Sequence, residues 1–247
     1  MSKIFIDVGH GGKDSGACDG NLIEKNMNLV TATATAEYLQ KYGCEVKLSR
    51  TTDTCLSLTE RANMANNWGA DYFISCHYNA GGGDRGEVIH SVTHGGSYNL
   101  AQAIGAQLAK LGQTQLNLYD KTASSGSGDY FTVIAKSHMP AVIVEPCFID
   151  NEQDRQIADT EAEQQAVGVA IAKGVLDLLN IKYTESEEIE MIYNYIDENM
   201  PEWARPTIQK LVDKGYLNGN ENGELGLNDT MLKIFVVNDR AGLYDMK

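Results

Sequence analysis

No apolar run in this 247-residue chain approaches the roughly 20 residues a helix needs to cross a bilayer, so no segment reads as a membrane span. Positive charge is scarce. Lys and Arg number 20 against 34 Asp and Glu, a net charge of −14, and there is no basic stripe to neutralise phosphates; nucleic-acid binding is excluded on that ground. With four prolines and 24 glycines, the chain is neither collagenous nor low-complexity. The five cysteines (Cys18, Cys44, Cys55, Cys76, Cys147) are odd in number and lack CxxC spacing. They read as reduced, mostly buried thiols rather than a disulfide scaffold. Met1-Ser2-Lys3 passes directly into IFIDVGH, without the apolar stretch and small-residue cleavage site of a secretory signal. The glycines of the loop Gly9-His10-Gly11-Gly12 do not have GxGxxG spacing and no P-loop lysine follows, which argues against a phosphate-binding loop there; HExxH and GxSxG are missing, which argues against a helical zinc peptidase site and a serine-hydrolase elbow.

What is present is a folded chain, 43% hydrophobic and 22% charged. Short runs rich in Val, Ile, Phe and Tyr predict strands at Ile4–Val8, Glu45–Ser49, Tyr72–Cys76, Glu87–Val92 and Ala141–Glu145, and Tyr130–Ala135 offers a sixth. Between them, helical spacing of apolar residues predicts helices over Asn26–Lys41, Leu58–Trp68, Leu100–Leu111 and Glu161–Leu179. Such alternation predicts an α/β architecture, a mostly parallel sheet sandwiched by helices, over residues 1–182. From Thr184 to the end there are 13 acidic and 6 basic residues, the same net −7 as the far longer remainder. That shift predicts an acidic linker at 183–190 and a small all-α module at 191–247, with helices over Met191–Asn199, Glu202–Lys214 and Asp229–Ala241.

Two histidines leave predicted strands at their C-terminal ends, where α/β folds place ligands. His10 lies in Asp7-Val8-Gly9-His10-Gly11-Gly12, whose glycines allow a backbone to approach a ligand or metal closely. His77 lies in Ser75-Cys76-His77-Tyr78-Asn79. If the two strands are parallel neighbours, both imidazoles emerge on one edge, and an open zinc site then wants a third ligand and a base. Glu24, where a helix begins, and Glu145, ending the run AVIVE, are candidates; the residues alone leave each either solvated or held for chemistry. His90, His94 and His138 read as surface or internally satisfied histidines.

Taken together, IFIDVGHGGKDSGA, NLIEKNMNLVTATATAEYL, GADYFISCHYNAGGG and MPAVIVEPCFIDNEQD resemble, in order, the zinc-dependent N-acetylmuramoyl-L-alanine amidases of the type-3 family. Arg50, Asp53, Arg61 and Asn66 fall in matching positions of the intervening run. The resemblance spans about residues 1–180. It implies one zinc ion held by His10, Glu24 and His77, with Glu145 as the catalytic glutamate. It also implies bacterial peptidoglycan as substrate, cut at the amide between the muramic acid lactyl group and L-alanine. Asn79 and Glu87 would line the groove, and Asp7 would orient a ligand by hydrogen bonding. Val8 stands where the family often has proline, and Pro146-Cys147 replaces a more usual Thr-Gly-type pair. The segment from Trp203 to Asp245 is similar to a single S-layer-homology-type unit and to the tails of phage lysins. It implies wall binding or self-association, with Trp203, Tyr216 and Tyr244 as contacts; a bundle that only stabilises the enzyme is the alternative. The missing secretory signal favours a phage endolysin, held in the host cytoplasm until lysis, over a host autolysin. A zinc peptidase cutting within the stem peptide and a non-catalytic wall-binding protein on the same fold are the remaining readings.

Overall fold

The computed structural model describes residues 1–184 and 192–244. The chain divides into two compact units, Met1–Thr184 and Glu185–Lys247. Most of the expected 183–190 linker, and Met191, lie outside the described residues.

In the first unit, strands β1 (Lys3–Val8), β4 (Glu45–Leu48), β5 (Tyr72–Cys76), β6 (Gly86–His90), β7 (Leu116–Tyr119) and β8 (Ala141–Glu145) form one sheet in the order β4-β1-β5-β8-β6-β7. A two-residue ribbon, β2 (Cys18–Asp19) with β3 (Leu22–Ile23), lies in the connection that follows β1. All sheet neighbours are parallel except β6 and β8, which pair antiparallel with Glu87 opposite Glu145 and His90 opposite Val142. The expected mostly parallel sheet is therefore present, with β6 and β7 reversed as a pair.

Helices α1 (Glu24–Lys41) and α3 (Gly95–Leu111) each pack against α5 (Glu161–Leu178) on one face. Helix α2 (Leu58–Trp68) and the single turn α4 (Thr132–Ala135) cover the other. The period-2 alternation of a strand explains the division. Phe5, Phe73, Ile89, Ala141 and Ile143 join Ala65, Val133 and Ile134 in one buried cluster beneath α2 and α4. Ile4, Ile6, Ile74 and Val142, at the alternate positions, are fully buried. Both faces being covered, the strands read as continuous apolar runs in the sequence.

Two expectations need correction here. Tyr130–Ala135 is not a strand: the Phe131 carbonyl accepts from the N–H groups of Ile134 and Ala135, closing a helical turn that buries two consecutive residues, Val133 and Ile134. The sixth strand is instead β7, whose LNLY is short and only half-buried, so it gives little apolar signal. Helix α3 also begins at Gly95, ahead of the expected Leu100. Its glycine-rich start hides it, yet Gly96 is held against Pro140 and Ser97 Oγ accepts from Ala141 N–H at 3.1 Å.

The second unit has its own core, formed by Tyr193, Met200, Ala204, Ile208, Leu211, Leu227, Leu232 and Val236. Helices α6 (Arg205–Asp213) and α7 (Asp229–Arg240) match two of the three expected helices. The third is corrected: Ile192–Tyr193 forms strand β9, paired antiparallel with β10 (Leu227–Asn228), followed by turns. The module is thus not all-α. Trp203 and Tyr216 are exposed, whereas Tyr244 packs against the core.

Candidate metal and catalytic centre

The parallel register of β1 and β5 pairs Val8 with Cys76, so the residues that follow each strand emerge side by side. Gly9 N–H donates to the Cys76 carbonyl, and a Cβ at Gly9 would lie 2.4 Å from His77 Cε1. Only glycine lets the two loops close to this distance. The rings of His10 and His77 meet edge to face with centroids 4.9 Å apart.

Glu24, the first residue of α1, is aimed between them. Its Oε2 lies 3.1 Å from His10 Nε2, and its Oε1 lies 2.9 Å from His77 Nδ1. Ala17 N–H donates to Oε2 at 2.8 Å and Tyr78 N–H to Oε1 at 3.1 Å. Burial opposes ionisation of Glu24, but hydrogen bonds and charge from His10 and His77 outweigh it and hold the carboxyl far below the usual carboxylate range. Burial likewise opposes the charged form of His10, yet Glu24 and Asp14 together raise its pKa above the ordinary 6.5.

The three side chains can each offer one ligand atom within 4.8 Å of the others. Tetrahedral zinc with bonds of about 2.0–2.1 Å sets its ligands about 3.4 Å apart, close to the separations found here. Two imidazoles and a carboxylate are the donor set of open zinc sites. The pocket is also tight in a way that a side chain would spoil. A Cβ at Gly16, whose φ is +66°, would sit 2.4 Å from Glu24 Oε2 and 2.6 Å from His10 Cδ2. Gly11 and Gly12, which the sequence marks out for close approach, lie instead against Thr54, Arg50 and Cys55.

Glu145 ends β8 and Glu87 opposes it on β6. Asn79 joins them: its Nδ2 donates to Glu145 Oε2 at 2.8 Å and to Glu87 Oε2 at 3.1 Å. Arg85 neutralises Glu87 at 2.6 Å. Burial pushes the Glu145 carboxyl up; His77 offsets part of this, Glu87 and Glu24 add to it, and the pKa stands at about 7. Asn79 and Glu87 are thus brought against Glu145.

Asp7 makes no hydrogen bond to His10, Glu24 or His77, contrary to the role expected for it. It is buried, accepts from Ser75 Oγ at 2.7 Å and pairs with Arg61 at 2.7 Å. Arg61 in turn donates to the carbonyls of Val8 and His10, the latter at 2.8 Å. Asp7 therefore acts on the His10 loop at one remove. Val8 N–H donates to Ser49 Oγ at 2.9 Å, a bond that a proline there could not make. Asn28, one turn after Glu24 on α1, was not anticipated; it is fully buried and its Nδ2 donates to the Gly9 carbonyl at 3.2 Å. A buried polar residue at i+4 from a candidate ligand is the signal that could have found it.

The model for the family described as N-acetylmuramoyl-L-alanine amidase matches residues 4–177, a span that contains this whole cluster. The chain belongs to that family. Among curated relatives, the N-acetylmuramoyl-L-alanine amidase CwlM of Bacillus licheniformis is 36% identical over 184 residues, 73% of this chain and 70% of that one. The endolysin of Bacillus phage SPP1 is 32% identical over 192 residues, 74% of this chain and 68% of that one. Among solved structures, Cwp6 from Clostridium difficile superposes with a TM-score of 0.68 at 34% identity, covering 72% of this chain but only 29% of that longer one. As an amidase-family member, the chain keeps an acidic or imidazole side chain at each of the four positions expected to carry chemistry. All five cysteines are free, with Cys44, Cys76 and Cys147 buried and Cys18 and Cys55 exposed.

Proposed function

We infer that the protein hydrolyses the amide between the lactyl group of muramic acid and the L-alanine of a peptidoglycan stem peptide. The observation that carries this reading is the convergence of His10, Glu24 and His77 at one sheet edge, with the buried carboxyl of Glu145 at the end of neighbouring β8. His10, Glu24 and His77 would hold one zinc ion. Bound there, zinc would supply Lewis acidity, lowering the pKa of water and polarising the scissile carbonyl.

The chain's own groups supply the proton traffic. In the metal-free chain, burial holds the Glu145 carboxyl up at about 7, the character of a group that can take and return a proton near neutral pH. Its carboxylate takes a proton from the attacking water as the new C–O bond forms. The same proton goes to the departing alanine nitrogen as the C–N bond breaks. Asn79 fixes the Glu145 carboxyl by donating to its Oε2. Glu87 and Arg85, paired at the rim, offer an acceptor and donors to glycan or peptide.

The exposed Trp203 and Tyr216 support wall recognition or self-association for the second unit. The likeness to a phage endolysin supports a lytic setting in which the protein waits in the host cytoplasm and meets the wall when the membrane opens; expression in a host with and without a membrane-permeabilising agent tests it, and lysis in both arms would point to an autolysin instead. The experiment that tests the activity is release of amino ends and reducing ends from purified peptidoglycan. New L-alanine amino groups without new reducing sugars, abolished by chelation and restored by zinc, are expected. Free amino groups of any other stem residue would place the cut inside the peptide, and no release would leave a binding protein.

A further inference from the structure

His90 and His94 read from sequence as surface or internally satisfied histidines, but the fold brings them together with a carboxylate. The β6–β7 register pairs Ile89 with Tyr119, so His90 and Asp120 leave the two parallel strands as neighbours. His94, at the entrance to α3, completes the group: its Nε2 lies 3.2 Å from Asp120 Oδ2, and its ring centroid is 5.1 Å from that of His90. All three residues can place a ligand atom within 4.8 Å of the others.

We propose that His90, His94 and Asp120 form a second divalent-cation site, selective for a transition ion of the zinc class. The donor set argues for that class, because imidazole nitrogens suit zinc, nickel or cobalt, whereas magnesium and calcium require oxygen. His90 is prepared for the role. It is 2% exposed, and its Nδ1 lies 3.0 Å from the Ser91 carbonyl, so that nitrogen donates and Nε2 presents its lone pair. Committing one ring nitrogen to a carbonyl is how proteins fix the tautomer of a metal-binding histidine. His94 adopts φ +56°, ψ −118°, a conformation that costs a non-glycine residue energy and that aims its ring at His90 and Asp120. The side chains of His94 and Asp120 are 57% and 32% exposed, which gives an ion access from solvent. The N-terminus of α3 repels a cation, and the Asp120 carboxylate supplies the opposing charge.

The site is separate from the first. Glu87 faces Glu145, but His90 lies three residues further along β6, about 10 Å away, and points to the opposite face of the sheet. An ion there would tie the end of β6, the entrance to α3 and the end of β7 together, bracing the reversed strand pair that carries Glu87.

The test is equilibrium dialysis of the full chain against buffered zinc, with metal content read by elemental analysis. Wild type should hold two ions, His10→Ala/His77→Ala one, and that pair combined with His94→Ala/Asp120→Asn none. Zinc should also raise the Tm of His10→Ala/His77→Ala by about 2–5 °C. On the wild-type background, His94→Ala/Asp120→Asn should lose one ion while amidase rate and metal-free Tm stay unchanged. A single ion that vanishes with His10→Ala/His77→Ala overturns the proposal. So does a second ion that survives His94→Ala/Asp120→Asn. Zinc lost with His94→Ala/Asp120→Asn but kept in His10→Ala/His77→Ala supports this site and removes the assignment of the first one instead.

Discussion

Glu145 differs from the other carboxylates around it in how little offsets its burial. Glu24 is held ionised by two imidazoles, whereas Glu145 keeps its proton to about pH 7. Replacing it by Gln preserves shape and hydrogen bonding but removes the proton acceptor. Glu145→Gln should cut amidase turnover by about 10²–10⁴-fold with zinc content unchanged, and a variant within threefold of wild type would remove Glu145 from the chemistry. The same carboxyl couples folding to pH. Its folded pKa lies above the ordinary value of 4.5, so its contribution to stability is fully present below pH 4.5 and is lost as pH rises through about 7. In metal-free protein, Glu145→Gln should remove a destabilisation of about 2–3 kcal/mol that wild type develops across this window, measured by urea unfolding at pH 5 and 8. Glu24, whose pKa is lowered, works in the opposite sense and loses its contribution as pH falls below 4.5, so the Gln difference isolates Glu145. Arg61 and Asp7 form a pair that is almost wholly buried. Arg61→Met leaves Asp7 buried and unpaired and should cost about 3–5 kcal/mol, read as a lower urea midpoint at unchanged slope.

Among the elements, the loops between β1 and α1 matter more than the helices they join. Gly16 stands where Cβ would strike both Glu24 and His10, in a backbone conformation that disfavours any side chain. Gly16→Ala should therefore weaken zinc binding at least tenfold, by competitive titration with a zinc indicator, while costing only about 1–2 kcal/mol of stability. Much at this scale was legible in the chain. Strands β1, β5 and β8 stand within one residue of expectation because runs such as AVIVE are buried on both faces. Helix α2 is announced by a capping box, in which Ser57 Oγ and the Glu60 carboxylate satisfy each other's backbone N–H groups. What stayed hidden were elements whose local signal is weak or misleading. β7 is half-buried, α4 is a single turn made of strand-forming residues, and Ile192–Tyr193 becomes a strand only because Leu227–Asn228 returns to pair with it.

For the whole molecule, the family match ends at residue 177, and the second unit carries a core of its own. A fragment ending at Thr184 should keep activity on soluble muropeptides within about twofold, measured by amine release, because no residue of the candidate centre lies beyond it. Loss of cooperative folding in that fragment would show the two units to be one. The sequence by itself determined the class of fold, and its resemblance to the family nominated His10, Glu24, His77 and Glu145 as the candidates for chemistry. Apolar period and turn chemistry are local properties, and the motif segments carry their own order along the chain. Tertiary structure alone decided the reversal of β6 and β7, the placing of Asn79 between two carboxylates and the meeting of His90 and His94 with Asp120. Each depends on strand register between segments distant in sequence, and register is fixed by how faces pack rather than by any residue's neighbours along the chain.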